Sequence, residues 1–151
     1  MFRTIFLPLD GSRLAEESIP FAESLARQYD AELVLAWVIQ LRTTAASEFD
    51  PLPHGVATLF DTTIDRERAQ TYLTAVKERF AGRGLRISLR IAEGYSIADT
   101  IVTIAKEVKA DLIVKTTYAR LGLSRWLHGN VAAEVLQRAP CPLFLVRVTD
   151  A

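Results

Sequence analysis

Small, polar and basic residues between positions 115 and 131 have the types and the order of an anion-binding turn. Gly122 and Gly129 lie in this stretch together with Arg120 and Arg125, between an apolar run and an amphipathic run. A turn that leads from a strand into a helix can direct backbone N–H groups and the positive end of the helix at an anion. The stretch therefore predicts an anion site, provided that a strand precedes it and a helix follows it.

Outside this stretch, the sequence holds no arrangement typical of a catalytic or a metal centre. It contains no Walker A lysine motif and no nucleophile elbow, and its one cysteine, Cys141, lies between two prolines. His54 has no partner at metal-ligand spacing, and we interpret His128 as an exposed loop residue. We therefore expect no catalytic residue and no metal ligand.

The composition narrows the class of protein further. A chain of 151 residues with a formal net charge of zero lacks the positive field that nucleic-acid binders usually carry. No apolar run approaches the ~20 residues of a membrane span, and the N-terminus runs into a strand pattern without the features of a signal peptide. We expect one cytoplasmic domain over residues 1–151, with no nucleic-acid or membrane partner.

Five apolar runs alternate with four amphipathic runs along the chain, which predicts an α/β protein. Short continuous apolar runs are typical of strands covered on both faces; the third run alternates instead and predicts an edge strand. Such alternation predicts an open, parallel five-stranded sheet between two layers of helices, with right-handed crossovers. The predicted strands are 5–7, 33–39, 85–92, 111–114 and 143–148, and the four helices begin near Ser12, Asp61 or Thr62, Ser96 and Val131, the first with a kink or a late start at Pro20.

Residues 40–60 interrupt this pattern. They contain Pro51, Pro53 and Gly55, and their polar half shows no period. A segment of this length without secondary structure is commonly a lid or a mobile insertion, and we favour the insertion.

The carboxyl ends of the first and fourth strands are the predicted place for a ligand. Parallel sheets bind ligands beyond these ends, at the point where the strand order reverses. We expect the order 3-2-1-4-5, so that Asp10 after the first strand and the stretch after the fourth converge on one crevice. The fifth strand then lies at the far edge, where the apolar residues Leu143, Phe144, Leu145 and Val146 form a pairing liability unless something covers them.

Four short motifs, in this order and at these separations, make the sequence resemble the universal stress protein family over its whole length. They are Pro8-Leu9-Asp10-Gly11-Ser12, Gly122-Leu123-Ser124-Arg125, Gly129-Asn130-Val131-Ala132 and Ala139-Pro140-Cys141-Pro142-Leu143. The resemblance implies an adenine nucleotide alpha hydrolase-like, Rossmann-like fold. It also implies a two-fold homodimer in which the fifth strand pairs antiparallel with its copy.

The resemblance further implies a set of nucleotide-binding positions. In the family's nucleotide-binding members the loop reads Gly, two residues, Gly, nine residues, then Gly followed by Ser or Thr. The resemblance places ribose against Asp10, although Asp10 equally fits an Asx turn, adenine against the backbone of Val38, and triphosphate against the loop. The implied site comprises Pro8, Asp10, Val38, Thr116, Ala119, Gly129, Asn130 and Val131, with Arg120 and Arg125 as additional charge beside a phosphate.

This sequence departs from the family's loop at three of those positions. Thr116 and Ala119 stand where the loop has glycine, and Asn130 replaces the hydroxyl residue. A β-branched residue strongly disfavours positive φ and close backbone approach. We therefore expect a non-catalytic stress-response dimer with a weakened or lost adenine-nucleotide crevice. The alternatives are an ATP-binding switch, in which nucleotide orders residues 40–60, and a slow ATP hydrolase; Mg²⁺ enters only with ATP.

Overall fold

The structure, a computed structural model, describes residues 1–42, 62–118 and 131–148. Within these ranges a parallel five-stranded sheet has the order β3-β2-β1-β4-β5, which confirms the predicted topology. The elements are β1 (Thr4–Pro8), α1 (Arg13–Glu16), α2 (Ile19–Tyr29), β2 (Glu32–Gln40), α3 (Thr63–Glu78), β3 (Ile87–Gly94), α4 (Ile97–Glu107), β4 (Leu112–Tyr118), α5 (Val131–Arg138) and β5 (Leu143–Val148).

The helices cover the sheet in two layers, one on each face. Buried residues of α1, α2 and α3 join one face of β1, β2 and β4 in a first cluster, exemplified by Ala22, Leu73 and Val114. Buried residues of α4 and α5 join the opposite face in a second cluster, exemplified by Ile101 and Val135. We call these faces the α1–α3 face and the α4–α5 face.

The first predicted helix consists of two segments. α1 ends at Glu16 and α2 begins at Ile19, with Pro20 in its first turn, where the missing N–H costs no helical hydrogen bond. Ser18 between them is buried, and its hydroxyl donates to the carbonyl of Ala15. The helix predicted to begin at Ser12 is thus interrupted before Pro20, where a kink or a late start was predicted.

The predicted apolar stripes pack as expected. Ala69, Leu73 and Val76 of α3 and Phe80 just after it are buried, and Gly82 and Gly84 follow with φ of +73° and +72°. At the start of α4, Ser96 Oγ accepts a hydrogen bond from the N–H of Asp99 at 3.2 Å. β3 lies at one edge of the sheet. The alternating apolar side chains, Leu85 just before the strand and Ile87, Leu89 and Ile91 within it, contact the first cluster.

β4 differs from its prediction. The apolar run predicts a strand that ends at Val114, but the strand continues through Tyr118 and pairs with β5 as far as Tyr118↔Val148. The predicted turn from Lys115 onward is therefore wrong for its first four residues.

Most of the insertion predicted at residues 40–60 lies outside the described residues. The role of this insertion and the single-domain boundary stay predictions.

Candidate functional site

A crevice opens between β1 and β4 because these strands pair only over their first halves. β1 pairs with β2 from Thr4↔Glu32 to Pro8↔Ala36. Against β4 it pairs at Ile5↔Leu112 and Phe6↔Ile113. Among the described residues no register pair joins these two strands beyond Phe6↔Ile113, toward the carboxyl end of the sheet and at the point where the strand order reverses. This is where parallel sheets bind ligands, and we call it the crevice.

The alternation of side chains decides which residues of β4 line the crevice on the α4–α5 face. Ile113 belongs to the second cluster and Val114 to the first. Since successive side chains of a strand point to opposite faces, Lys115 and Thr117 follow Ile113 toward the α4–α5 face. Thr116 follows Val114 toward the α1–α3 face, as does its register partner Val146.

Thr116 therefore has a different setting from the one predicted for it. It is a buried strand residue that pairs with Val146 of β5. Among the described residues, the non-glycine positions with positive φ are Asp30 and Lys109, so Thr116 carries no left-handed strain. The β-branched side chain suits a strand, and it turns away from the crevice wall formed by its neighbours.

Asp10 closes the turn between β1 and α1. Its Oδ1 accepts the N–H of Ser12 at 2.9 Å, and Ser12 Oγ accepts the N–H of Ala15 at 3.1 Å. The Asx turn and the helix cap predicted at this junction are thereby confirmed. The carboxylate is exposed, and its role toward a ribose stays a prediction.

The aromatic ring of Trp37 packs against the turn at Gly11. Gly11 has φ of +77°, and a Cβ on it would lie 2.9 Å from Cη2 of Trp37. The Trp37 ring meets Tyr72 edge-on, with centroids 5.3 Å apart. Tyr72 donates to Oε1 of Glu16 at 2.8 Å, and Arg79 forms an ion pair with the same carboxylate. The arginine hydrogen bond lowers the pKa of Glu16, while burial opposes it.

Lys115 and Thr117 are the crevice residues that the sequence prediction missed. Lys115 is partly buried, and this burial lowers the pKa of its ammonium, whereas the Asp10 carboxylate acts in the opposite direction. Thr117 is buried, and its Oγ1 has no hydrogen-bond partner among the described residues. The signal that could have found both is the strand propensity of Thr-Thr-Tyr, which extends β4 past its apolar half.

The remaining predicted site residues fall in two groups. Val38 and Val131 both pack against the second cluster, and Pro8, two residues beyond Phe6 on buried β1, lies on the same face. Ala119, Arg120, Arg125, Gly129 and Asn130 lie outside the described residues.

β5, the strand predicted to form the dimer edge, lies at the end of the sheet and pairs with β4. β5 occupies the end of the sheet order, opposite β3. Val146 is buried, whereas the Phe144 side chain is 39% exposed and contacts Phe21 of α2, with ring centroids 5.7 Å apart. Together with Phe21, which is 46% exposed, Phe144 forms an apolar surface beside the open strand edge.

Neither a metal-binding cluster nor a membrane-spanning helix occurs in the described residues. In ranges 1–42, 62–118 and 131–148, no three His, Cys, Asp or Glu side chains come together in a way that could hold a metal ion. None of the helices described there has the length and apolar character needed to cross a bilayer.

Comparisons with known proteins place the chain in a family. The universal stress protein family model matches residues 1–147. A universal stress protein of Methanocaldococcus jannaschii is 33% identical over 147 residues, covering 97% of this chain and 83% of that protein. A universal stress protein structure from Burkholderia pseudomallei is 26% identical with a TM-score of 0.67, covering 95% of this chain and 94% of its own.

A second solved structure, of a universal stress protein in complex with cAMP, is 22% identical with a TM-score of 0.72 and covers 97% of each chain. At that identity it supports the fold alone. The family match and the Methanocaldococcus relative extend over nearly the whole sequence. The chain belongs to the universal stress protein family.

Proposed function

We propose that the chain acts by non-catalytic binding and self-association, as a stress-response dimer whose crevice has little affinity for adenine nucleotides. The observation that carries this proposal is the continuation of β4 through Tyr118. The first glycine position of the family's loop is here a buried strand residue, Thr116. A regular strand presents neither the positive φ nor the close backbone approach that glycine provides to a phosphate.

The side chains that line the crevice also indicate that an adenine base would bind only weakly. Pro8 and Val38 offer apolar surface on the α4–α5 face, but Lys115 projects from the neighbouring strand on that face. A neutral base placed there would take the ammonium further out of water without bringing an opposite charge. Desolvating a charge in this way is unfavourable.

The homodimer is proposed from β5. In the described ranges, β5 pairs on one side with β4 and ends the sheet on the other. An apolar strand edge of this kind favours pairing with a second copy, and an antiparallel β5–β5 contact is self-complementary under a two-fold axis. Phe144 and Phe21 would be covered next to that contact.

The second candidate function is an ATP-binding switch. One observation favours it, since a relative of the same fold is a universal stress protein in complex with cAMP. In this alternative the nucleotide orders the segment after β2, whose flanks both reach the end of β3. Leu41 N–H donates to the Gly94 carbonyl at 2.9 Å, and Thr62 Oγ1 donates to Glu93 at 2.7 Å. A slow ATP hydrolase is the third candidate, and it requires the same binding.

Thermal unfolding with and without ATP and Mg²⁺ separates these candidates. A nucleotide bound with a Kd near 10 μM stabilises the folded state by about 2.7 kcal/mol at 1 mM ligand. That gain corresponds to a rise in Tm of roughly 5–10 °C for a domain of this size. We expect a rise of less than about 2 °C at 1 mM, because a Kd above 1 mM stabilises by less than ~0.4 kcal/mol.

The controls distinguish nucleotide binding from effects of the salt. Matched samples contain MgCl₂ alone and MgCl₂ with adenosine. A rise of several degrees with ATP and Mg²⁺, absent from both controls, would reject the proposal in favour of the switch. Release of labelled phosphate from ATP would then identify the hydrolase.

The cytoplasm stays our prediction for the compartment, and a nucleic acid or a membrane is not among the partners that we propose.

A further inference from the structure

The outer edge of β3 presents backbone hydrogen-bonding groups at every second residue. On the inner side, the Leu33 N–H donates to the Arg86 carbonyl at 2.8 Å and the Leu41 N–H donates to the Gly94 carbonyl at 2.9 Å. Because the backbone groups of a strand alternate between its two sides, even-numbered residues bond to β2 and odd-numbered residues face outward. Within the described ranges β3 ends the sheet, so no strand there pairs with the outward N–H and C=O groups.

A groove lies beside this edge on the α1–α3 face. It has a volume of about 500 Å³ and runs between α3 and the strand. The half-buried side chains of Leu85, Ile87 and Leu89 form its apolar wall, and α3 contributes the polar residues Gln70 and Thr74. A strand added at the edge would direct every second side chain over this groove, and the apolar wall favours apolar residues at those positions.

The other face of the same edge is positively charged. Arg86, Ser88 and Arg90 alternate with the apolar residues and point toward the α4–α5 face. Arg86 forms an ion pair with Asp30, whose side chain is 90% exposed, and an exposed pair of this kind contributes little. The exposed Arg90 guanidinium donates to the outward-facing Leu89 carbonyl at 3.1 Å. An N–H of an added strand can replace this donor and leave the arginine to an acidic side chain.

We propose that β3 binds an extended acidic segment of a partner protein as an additional strand of the sheet. Recognition by strand addition takes affinity from main-chain hydrogen bonds and specificity from alternate side chains. The segment that fits has apolar residues opposite Ile87 and Leu89, over the groove. It has acidic residues opposite Arg86 and Arg90, because opposite charges across paired strands are stabilising. This partner surface lies away from the crevice and goes beyond the proposed function.

The start of α3 limits the length of this surface. Thr62 Oγ1 and the Arg66 guanidinium both bind the Glu93 carboxylate, at 2.7 and 2.6 Å. These contacts bring α3 to the carboxyl end of β3. The proposed segment therefore pairs with residues 86–91.

A second copy of the chain fits this edge poorly. Two-fold antiparallel pairing of β3 with itself sets outward-facing odd residues against each other. The register centred on Ser88 then puts Arg86 of each copy opposite Arg90 of the other, and the register centred on Arg90 puts the two Arg90 residues opposite each other. The register centred on Leu89 leaves the two Arg90 residues diagonal neighbours. Like charges so placed destabilise strand pairing, whereas an acidic segment turns each repulsion into an attraction.

The test adds the end-blocked peptide Glu-Val-Thr-Val-Glu to the full chain and follows amide hydrogen exchange. Its valines would lie opposite Ile87 and Leu89. At ten times the measured Kd we expect exchange of these two amides to slow by about tenfold, with little change at Ser88 and Arg90, which already bond to β2. No binding at about 1 mM peptide, binding without this alternation, or protection at β5 instead would overturn the proposal.

Two further measurements separate this binding mode from its rivals. Methylation of the valine nitrogens removes the peptide N–H groups directed at β3 and should abolish binding, whereas methylation of the threonine nitrogen should weaken it far less. Equal losses would show that main-chain hydrogen bonds do not hold the peptide. If the odd-numbered amides are already protected without peptide, and more so at higher protein concentration, a second copy covers this edge and the proposal is wrong.

A charge reversal assigns the specificity to Arg90. We expect Arg90→Glu to weaken binding of the peptide by about fivefold or more, and to favour instead the variant peptide in which lysine replaces both glutamates. The matched control is Lys106→Glu, the same change of charge at an exposed position of α4, which should leave both affinities unchanged. An equal loss in Lys106→Glu, or a wild-type protein that binds the lysine peptide as tightly as the glutamate peptide, would refute the acidic partner.

Discussion

Gly11 is the residue of the Asp10 turn at which two independent requirements exclude a side chain. Its φ of +77° is rarely adopted by L-residues, and a Cβ would lie 2.9 Å from the Trp37 ring. The indole cannot simply retreat, because it packs against Tyr72, which is itself hydrogen-bonded to Glu16. A side chain at position 11 would disturb contacts that join β2, α3 and α1.

We expect Gly11→Ala to lower the free energy of unfolding by about 2–4 kcal/mol, from left-handed backbone strain together with overpacking against Trp37. The matched control is Gly82→Ala, where φ is +73° but nothing lies within 4 Å of the added Cβ. The control should lose only the backbone share, about 1 kcal/mol. Urea unfolding of both variants measures the difference, and equal losses would rule out the Trp37 contact as a cause.

Residue-level prediction from the sequence succeeds where a role is decided by near neighbours. Asp10 and Ser12 act on backbone N–H groups two and three positions away, so the pattern Asp-Gly-Ser is sufficient to find them. The contact of Gly11 with Trp37 joins residues far apart in sequence, and no local pattern signals it. The roles of Lys115 and Thr117 depend on which face they occupy, and that depends on where β4 ends.

At the scale of elements, β4 explains why the candidate site could be predicted only in part. Apolar content identifies a strand where both its faces are buried, as along Leu112–Val114. The second half of β4 borders the crevice on one face, so Lys115 and Thr117 are polar there, and a criterion based on apolar runs stops too early. β5 has no such polar half, and its predicted bounds agree with the observed ones.

Asp111 fastens β4 to β1 at the end of the sheet opposite the crevice. Its Oδ2 accepts the N–H groups of Arg3 and Thr4 at 2.8 and 3.0 Å. These backbone hydrogen bonds lower the pKa of Asp111, while burial opposes them. A carboxyl group whose pKa is lower in the folded state contributes stability that is complete above its unfolded pKa. That stability is lost as the pH falls through the folded pKa.

We therefore expect the free energy of unfolding to fall as the pH drops below about 5, toward and through the usual pKa range of Asp. Asp111→Asn should cost about 1 kcal/mol at pH 7 and should make the decline at low pH shallower, because the titrating group is gone. Glu67→Gln, at an exposed position of α3, serves as the control. Urea unfolding over a pH series measures the slopes, and a wild-type slope in Asp111→Asn would contradict the expectation.

At the scale of the whole molecule, the predicted strand order needed only general rules of parallel sheets. Alternating strands and helices with right-handed crossovers leave few arrangements for five strands, and the observed order agrees with the expected one. What covers β5 is not contained in those rules. The partner that we propose for β5 is a second copy of the chain, and the features of one copy that favour it are the exposed Phe144 and Phe21 at the open edge.

We expect Phe144→Lys to shift the protein from dimer to monomer, because a charge would replace apolar surface beside the paired edge strands. Ile64→Lys is the matched control, since Ile64 is also an exposed apolar residue but belongs to α3. Light scattering coupled to size exclusion over a range of concentrations gives the mass of each variant. A wild-type protein that is monomeric at every concentration, or a Phe144→Lys variant that remains dimeric, would refute the proposed interface.

β1 and β4 are paired at few positions, and this affects where the sheet opens locally. β1, β2 and β3 are joined by long ladders, and so are β4 and β5, whereas the seam between the two groups is paired at Ile5↔Leu112 and Phe6↔Ile113. Proteins open in cooperative units along such weak boundaries. We therefore expect amide hydrogens near the seam to exchange with solvent before those between β2 and β3. A ligand that contacts β1 and β4 together would slow exchange in both groups, so its binding would be detectable at amides that it never touches.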